Sequence, residues 1–154
     1  MDKTRLTLDS TRRIVLDRML DLIIPASELL PSAGHLDSKE FIEKEMQGNL
    51  DIKNAVIIVI DLAHSRSTQE FEKPFLDCDI EQQIEILSLI ETAHKDLFNI
   101  FVTLIYSFFY THEKVLALFK TGAVPPQPKG YPMEMGCMEL RKKVQARGPL
   151  YRDC

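Results

Sequence analysis

The 154-residue chain has no tryptophan, only three cysteines and only six glycines. The few cysteines and glycines each remove a class of function. Cys78, Cys137 and Cys154 are odd in number and show neither zinc-ligand spacing nor a disulfide framework, so they are read as reduced, partly buried thiols. The glycines form neither a Walker A loop nor a Gly-x-Gly-x-x-Gly turn, so no phosphate cradle is implied. There is no nucleophile elbow and no catalytic-cysteine signature. The longest purely aliphatic run is Ala55 to Ile60, far short of the roughly 20 residues that span a bilayer. Positive charge is not in excess either: 19 basic residues face 23 acidic ones for a net −4, which argues against nucleic acid as a partner. What is present is an ordinary globular balance, 45% hydrophobic and 27% charged, in a chain long enough for one core.

The hydrophobic periodicity predicts an all-α fold. A first helix is expected from about Ser10 to Ile24, with Ile14, Val15, Met19, Leu22 and Ile23 on one face and Asp9, Ser10 or Thr11 as cap. Pro25 ends it, and "PASELLPSAGHLDS" is a loop. Asp37 and Glu40 have capping-box spacing, with Ser38 as the competing cap, for a short helix to about Met46 that Gly48 would stop. Val56 to Ile60 are all β-branched and alone would suit a strand, but no second strand exists to pair with them. A buried helix from Ile52 to about His64 is therefore expected, followed by a polar connection, "SRSTQEFEKPFLDCD". Asp79 can cap a helix carrying Ile80, Ile84, Leu87 and Ile90 at helical spacing. "LFNIFVTLIYSFFYT", Leu97 to Thr111, is apolar on nearly every side and is expected at the centre of an irregular bundle, before a last short helix, "HEKVLALF".

Two patterns could bind a metal. Asp61 and His64, and again Glu91 and His94, stand three residues apart, which places each pair on one helix face. Di-iron bundles use two Glu-x-x-His motifs with a further Glu from each of two other helices. Here one motif has Asp, and nothing in the sequence fixes the remaining carboxylates. A small metal-dependent helical enzyme is thus the alternative function, and a free-standing interaction module is a third. No catalytic, cofactor or metal residue is assigned in this chain.

The C-terminal stretch differs from the rest. Residues 121–154 hold five of the eight prolines and four of the six glycines, so a bundle over residues 1–120 gives way to an extended arm within the same domain unit. Its six basic residues against three acidic ones make it +3, leaving −7 for the remainder. It also keeps large apolar side chains that a disordered linker normally lacks. An arm with Tyr, Met and Arg anchors is suited to lie along a surface, either a partner's or its own bundle's. The expected partner-binding residues are Pro126, Tyr131, Met133, Met135, Arg147, Tyr151 and Arg152.

The same residues carry a family resemblance. "LIIPASELLPSAGHLDSKEFIEKEM", with Pro25-Ala26 and Pro31-Ser32-Ala33-Gly34, resembles the opening of the gluconate 2-dehydrogenase subunit 3 family. "SFFYTHEKVLALFKTGAVPPQPKGYP", with Pro125, Pro126, Pro128, Gly130 and Tyr131, is similar to that family's aromatic helix end and proline arm, and "VQARGPLYR" to its terminal segment. The resemblance runs from about Leu22 to Arg152. It implies a non-catalytic, chaperone-like small subunit in a hetero-oligomer with a large flavoprotein of the glucose-methanol-choline class. The FAD and the oxidation of sugars, sugar acids or alcohols belong to the large subunit. Relatives often carry a twin-arginine export signal. Here Arg12-Arg13 precede apolar residues, but Asp17, Arg18 and Asp21 interrupt the would-be uncharged segment, so the stretch reads as an amphipathic helix. The expected location is cytoplasmic for the sequence as it stands, and periplasmic if a signal was removed or the partner carries one. Thr111-His112-Glu113 stands where relatives often have an Asp-Pro turn.

Overall fold

A computed structural model describes residues 8–119, 142–143 and 145–147. The chain divides into two compact units, Met1–Ala123 and Val124–Cys154. In the second, residues 142–143 and 145–146 are helical, and the described side chains, Arg147 included, are exposed. The first unit is all helical among its described residues: α1 (Ser10–Ile23), α2 (Lys39–Gly48), α3 (Leu50–Phe71), α4 (Ile80–Ala93), α5 (Lys95–Thr111) and α6 (Glu113–Leu116). A 3₁₀ turn at Ala33–His35 precedes α2, and another at Phe75–Asp77 precedes α4. No described helix is long and apolar enough to cross a membrane.

Local chemistry sets the boundaries. Asp9 caps α1 by accepting the Arg12 N–H at 2.8 Å. Asp79 and Gln82 close a capping box on α4, the Gln82 N–H reaching Asp79 Oδ1 at 2.9 Å and the Asp79 N–H reaching Gln82 Oε1 at 3.2 Å. At the start of α2 the expected box does not form. Asp37 accepts the Lys39 N–H at 3.2 Å, while the buried Ser38 hydroxyl is taken by Arg13, whose Nη2 donates to it at 2.6 Å. Gly48 is not the stop but the last residue of α2. Asn49 makes the break instead: its backbone is extended, and its side chain caps α3 by accepting the N–H groups of Asp51 and Ile52.

The largest departure from expectation is α3, which continues through Ser65–Phe71, where a polar connection was expected. No proline or glycine lies between Asn49 and Pro74 to stop it. The hydroxyls of Ser67 and Thr68 are satisfied within the helix, each donating to the His64 carbonyl at 2.9 Å. The helix ends where Glu72 turns into the left-handed region, φ 56°, two residues before Pro74.

The two longest helices share the centre. The α3 helix packs on α1, α2, α4 and α5, and α5 packs on α2, α3, α4 and α6. Val56, Val59, Ile60 and Ala63 of α3 meet Phe101, Ile105, Phe108 and Phe109 of α5 in one core cluster. Phe41 of α2 lies against Phe108 with ring centroids 5.7 Å apart. The aromatic helix is not covered all round, however: Ile100, Tyr106 and Tyr110 remain exposed on its far side.

Candidate functional site

The loop that carries the Pro-Ala and Pro-Ser-Ala-Gly motifs is bolted to α1. Its backbone bonds back to the helix end, the Ala33 N–H reaching the Ile24 carbonyl at 3.0 Å. The Gly34 N–H donates to Asp21 Oδ1 at 2.9 Å. A side chain at Gly34 would collide with the Asp17 carbonyl and would sit 2.5 Å from Asp21 Oδ1, so glycine is required for this approach. Ser32 and His35 bond each other through Oγ and Nδ1. Ala33 and Leu36 are buried while Leu29, at the loop tip, is 81% exposed. A loop tied back to α1 thus presents one large apolar side chain to solvent.

A polar node supports this loop from below. Arg13 Nε lies 3.2 Å from Asp17 Oδ1 and donates to Oδ2 at 3.4 Å, while its Nη2 holds Ser38. Arg13 Nη1 and Asp17 Oδ1 are buried and have no hydrogen-bond partner among the described residues. Burial pushes the Asp17 carboxyl above its ordinary value of 3.8. Arg13 opposes the rise, and the like charges of Asp21 and Asp37 add to it.

Beside the node, α1 and α4 are joined by a relay. Arg18 Nε donates to Gln83 Oε1 at 2.8 Å, and Gln83 Nε2 donates to the Phe75 carbonyl at 2.8 Å. Gln83 is 1% exposed. Its inward position overturns the expected α4 face. Ile80 and Ile84, predicted in the core, are 57% and 49% exposed, whereas Gln83, Ile86, Leu87 and Ile90 are buried. Sequence reasoning missed these two as surface residues. The usable signal is that "IEQQIEILSLIETA" carries apolar residues over an arc too wide for one buried face. Hollows open along this α1–α4 seam, and Tyr106 stands at the rim of one of them, stacked on Tyr110 at 6.2 Å.

The two pairs weighed as metal ligands do not form part of a metal-binding group among the described residues. Asp61 is held by Arg12, whose Nε and Nη2 donate to Oδ1 at 3.1 and 2.9 Å and whose Nη2 also reaches Oδ2 at 3.0 Å. Asp61 and His64 lie well inside α3 rather than near its end, as α3 runs on to Phe71. His94 is not on α4 but in the joint between α4 and α5, so it shares no helix face with Glu91. No group of three His, Cys, Asp or Glu suited to a metal ion occurs among the described residues. His112 instead caps α6, accepting the Lys114 N–H at Nδ1, and Cys78 is buried with its thiol toward the Pro74 carbonyl. Of the expected partner-binding residues, Pro126, Tyr131, Met133, Met135, Tyr151 and Arg152 lie outside the described residues, as do Cys137 and Cys154.

These features define a small all-α bundle with a pinned motif loop and large apolar side chains on its surface. The family model described as gluconate 2-dehydrogenase subunit 3 matches residues 11–119, from the first turn of α1 to the turn after α6. The chain belongs to the gluconate 2-dehydrogenase subunit 3 family. The proline arm lies beyond the matched residues. No curated protein matches the chain, and no solved structure does.

Proposed function

We propose that this chain is the non-catalytic small subunit of a flavin-dependent dehydrogenase of the glucose-methanol-choline class. In this role it supports the folding, stability or maturation of a large FAD-bearing subunit that oxidises sugars, sugar acids or related alcohols. The observation that carries the reading is the family match over the bundle, residues 11–119. The surface is consistent with it. Leu29, Ile80, Ile84 and Tyr110 are each about half exposed or more, apolar surface that a partner can bury, with tyrosine among the residue types enriched at protein interfaces. In this reading the chain binds while the flavin and the reacting atoms stay in the large subunit. The arm contributes Pro126, Tyr131, Met133, Met135, Arg147, Tyr151 and Arg152 as further contacts, and its prolines lower the entropy lost on docking.

The test is to express the tagged chain together with the genes that neighbour its own and to purify it by the tag. The expected result is a stoichiometric complex with a yellow, FAD-containing large subunit. A stable monodisperse monomer with no flavoprotein overturns the reading.

A further inference from the structure

We infer that the seam between α1 and α4 receives a basic amphipathic helix of the large subunit. The inference rests on the partner reading above and adds where that partner binds and with what chemistry.

The seam has a regular build. One hollow is lined by Arg18 of α1 and by Ile80 and Gln83 of α4. The next is lined by Leu22 of α1, by Ile84 and Glu91 of α4, and by Phe98, Val102 and Tyr106 of α5. Arg18 to Leu22 and Ile80 to Ile84 are each one helical turn, so the hollows follow one another in the same direction along both helices. The α1 helix packs on α3 and both 3₁₀ turns, and α4 packs on α3 and α5; the Arg18–Gln83 bond joins α1 to α4, with Leu76 and Cys78 lining the first hollow and α5 the second.

The lining inverts the usual order. A helix with nothing to receive gains by burying its isoleucines and exposing its glutamine. Here Gln83 is inside, beside Ile86 and Ile90, while Ile80 and Ile84 are outside. The Gln83 amide is bonded at both ends, to Arg18 and to the Phe75 carbonyl, and this fixes the rotation of α4 about its axis. Ile80 and Ile84 are thereby held outward, one turn apart, as anchors of the kind that grip an amphipathic helix laid in a groove.

Charge selects the occupant. Glu81 and Glu91 are exposed acids of these two hollows, and Arg18 is engaged by Gln83. Residues 1–120 carry −7 of the chain's net charge, so the bundle of a second copy would bring like charge to the groove, whereas residues 121–154, at +3, would not. The complement is basic. Glu81 and Glu91 lie ten residues apart in sequence, about 15 Å along α4. The matching helix is therefore about three turns long, with Lys or Arg near each end and apolar residues at i, i+4 and i+7 between them.

The experiment uses the full-length chain co-expressed with the flavoprotein subunit encoded beside it, comparing wild type, an Ile80→Glu/Ile84→Glu double variant, Glu91→Lys, and Leu89→Glu. Leu89 is 39% exposed on the opposite side of α4 and serves as control. The double variant should bind the flavoprotein at least about 30-fold more weakly, the size of one hot-spot truncation. Glu91→Lys, which leaves the apolar lining intact, should weaken binding more at low salt than at high salt. Leu89→Glu should bind as wild type does. A photo-crosslinking residue at position 84 should capture a basic amphipathic peptide of the flavoprotein. Wild-type affinity in both Ile80→Glu/Ile84→Glu and Glu91→Lys overturns the inference while leaving the partner reading intact, and so does a crosslink to this chain, whether to its own residues 121–154 or to a second copy. A wild-type chain that recovers no flavoprotein overturns the partner reading and the inference with it.

Discussion

Gly34→Ala is the sharpest test of how the motif loop is held. The added methyl would meet the Asp17 carbonyl and the Asp21 carboxylate, with Asp21 Oδ1 and Cγ at 2.5 and 2.6 Å. Ordinary contact begins near 3.5 Å, so the turn must retreat by about 1 Å. That retreat breaks the 2.9 Å bond from the Gly34 N–H to Asp21, and a hydrogen bond to a charged group is worth about 1.5–3 kcal/mol. Overpacking adds about 1–3 kcal/mol. A total near 3 kcal/mol lowers Tm by roughly 12 °C for a chain of this length, measurable as loss of helical ellipticity at 222 nm. Gly48→Ala supplies the internal control. Nothing lies within 4 Å of a methyl built there, at the last residue of α2. Removing a glycine from a helix is worth up to about 1 kcal/mol, so the same chemical change should raise Tm. A Gly34→Ala protein as stable as wild type, or the two variants moving together, refutes the close-approach argument.

Three further outcomes follow from the same geometry. Glu72→Gly should stabilise the protein by about 1 kcal/mol, because Glu72 alone among the described non-glycine residues has a positive φ, and denaturant titration would show it; a loss of stability contradicts the assignment. Asn49→Ala should cost about 1 kcal/mol through loss of the α3 cap, while the conservative Asn49→Asp retains most of it. For Asp17 the sign is set by burial, which raises the folded-state pKa. The folded protein then binds the Asp17 proton more tightly than the unfolded chain does, a contribution present at low pH and lost as pH rises through the raised value. Asp17→Asn should therefore gain on wild type as pH rises from below the ordinary carboxylate range toward neutrality, read as Tm against pH; wild type gaining instead would contradict it.

The fold was legible where a strong local signal stood alone. Asp9 and Asp79 cap as their side chains allow, and the run Val56–Ile60 is helical, with no strand to pair with it among the described residues. The sequence misleads where tertiary contacts compete with local ones. Ser38 resembles a helix cap, but Arg13, twenty-five residues away, takes its hydroxyl. The Ser65–Glu70 stretch is polar, yet with no breaker before Pro74 and with its hydroxyls bonded backward it extends α3. The seam was hidden for a related reason. Periodicity groups Ile80 and Ile84 with Leu87 and Ile90, but the buried face is Gln83, Ile86, Leu87 and Ile90, with Gln83 held by Arg18 and the Phe75 carbonyl. The metal pairs failed likewise on a distant partner, Arg12, and on a helix joint at His94. The family, by contrast, was readable from motif order: the Pro-Ala and Pro-Ser-Ala-Gly elements lie within the matched residues 11–119, with Gly34 fixed by its close approach to Asp17 and Asp21, while the proline arm lies beyond them.

The central claim is that this chain serves a flavoprotein rather than acting by itself. Its most direct measurement is the flavin content and soluble yield of the neighbouring large subunit, produced with and without this chain. The account predicts a soluble, FAD-loaded heteromer when both are present and an aggregated or flavin-poor large subunit when this chain is omitted. A large subunit that folds, binds FAD and stays unassociated regardless of this chain would contradict it.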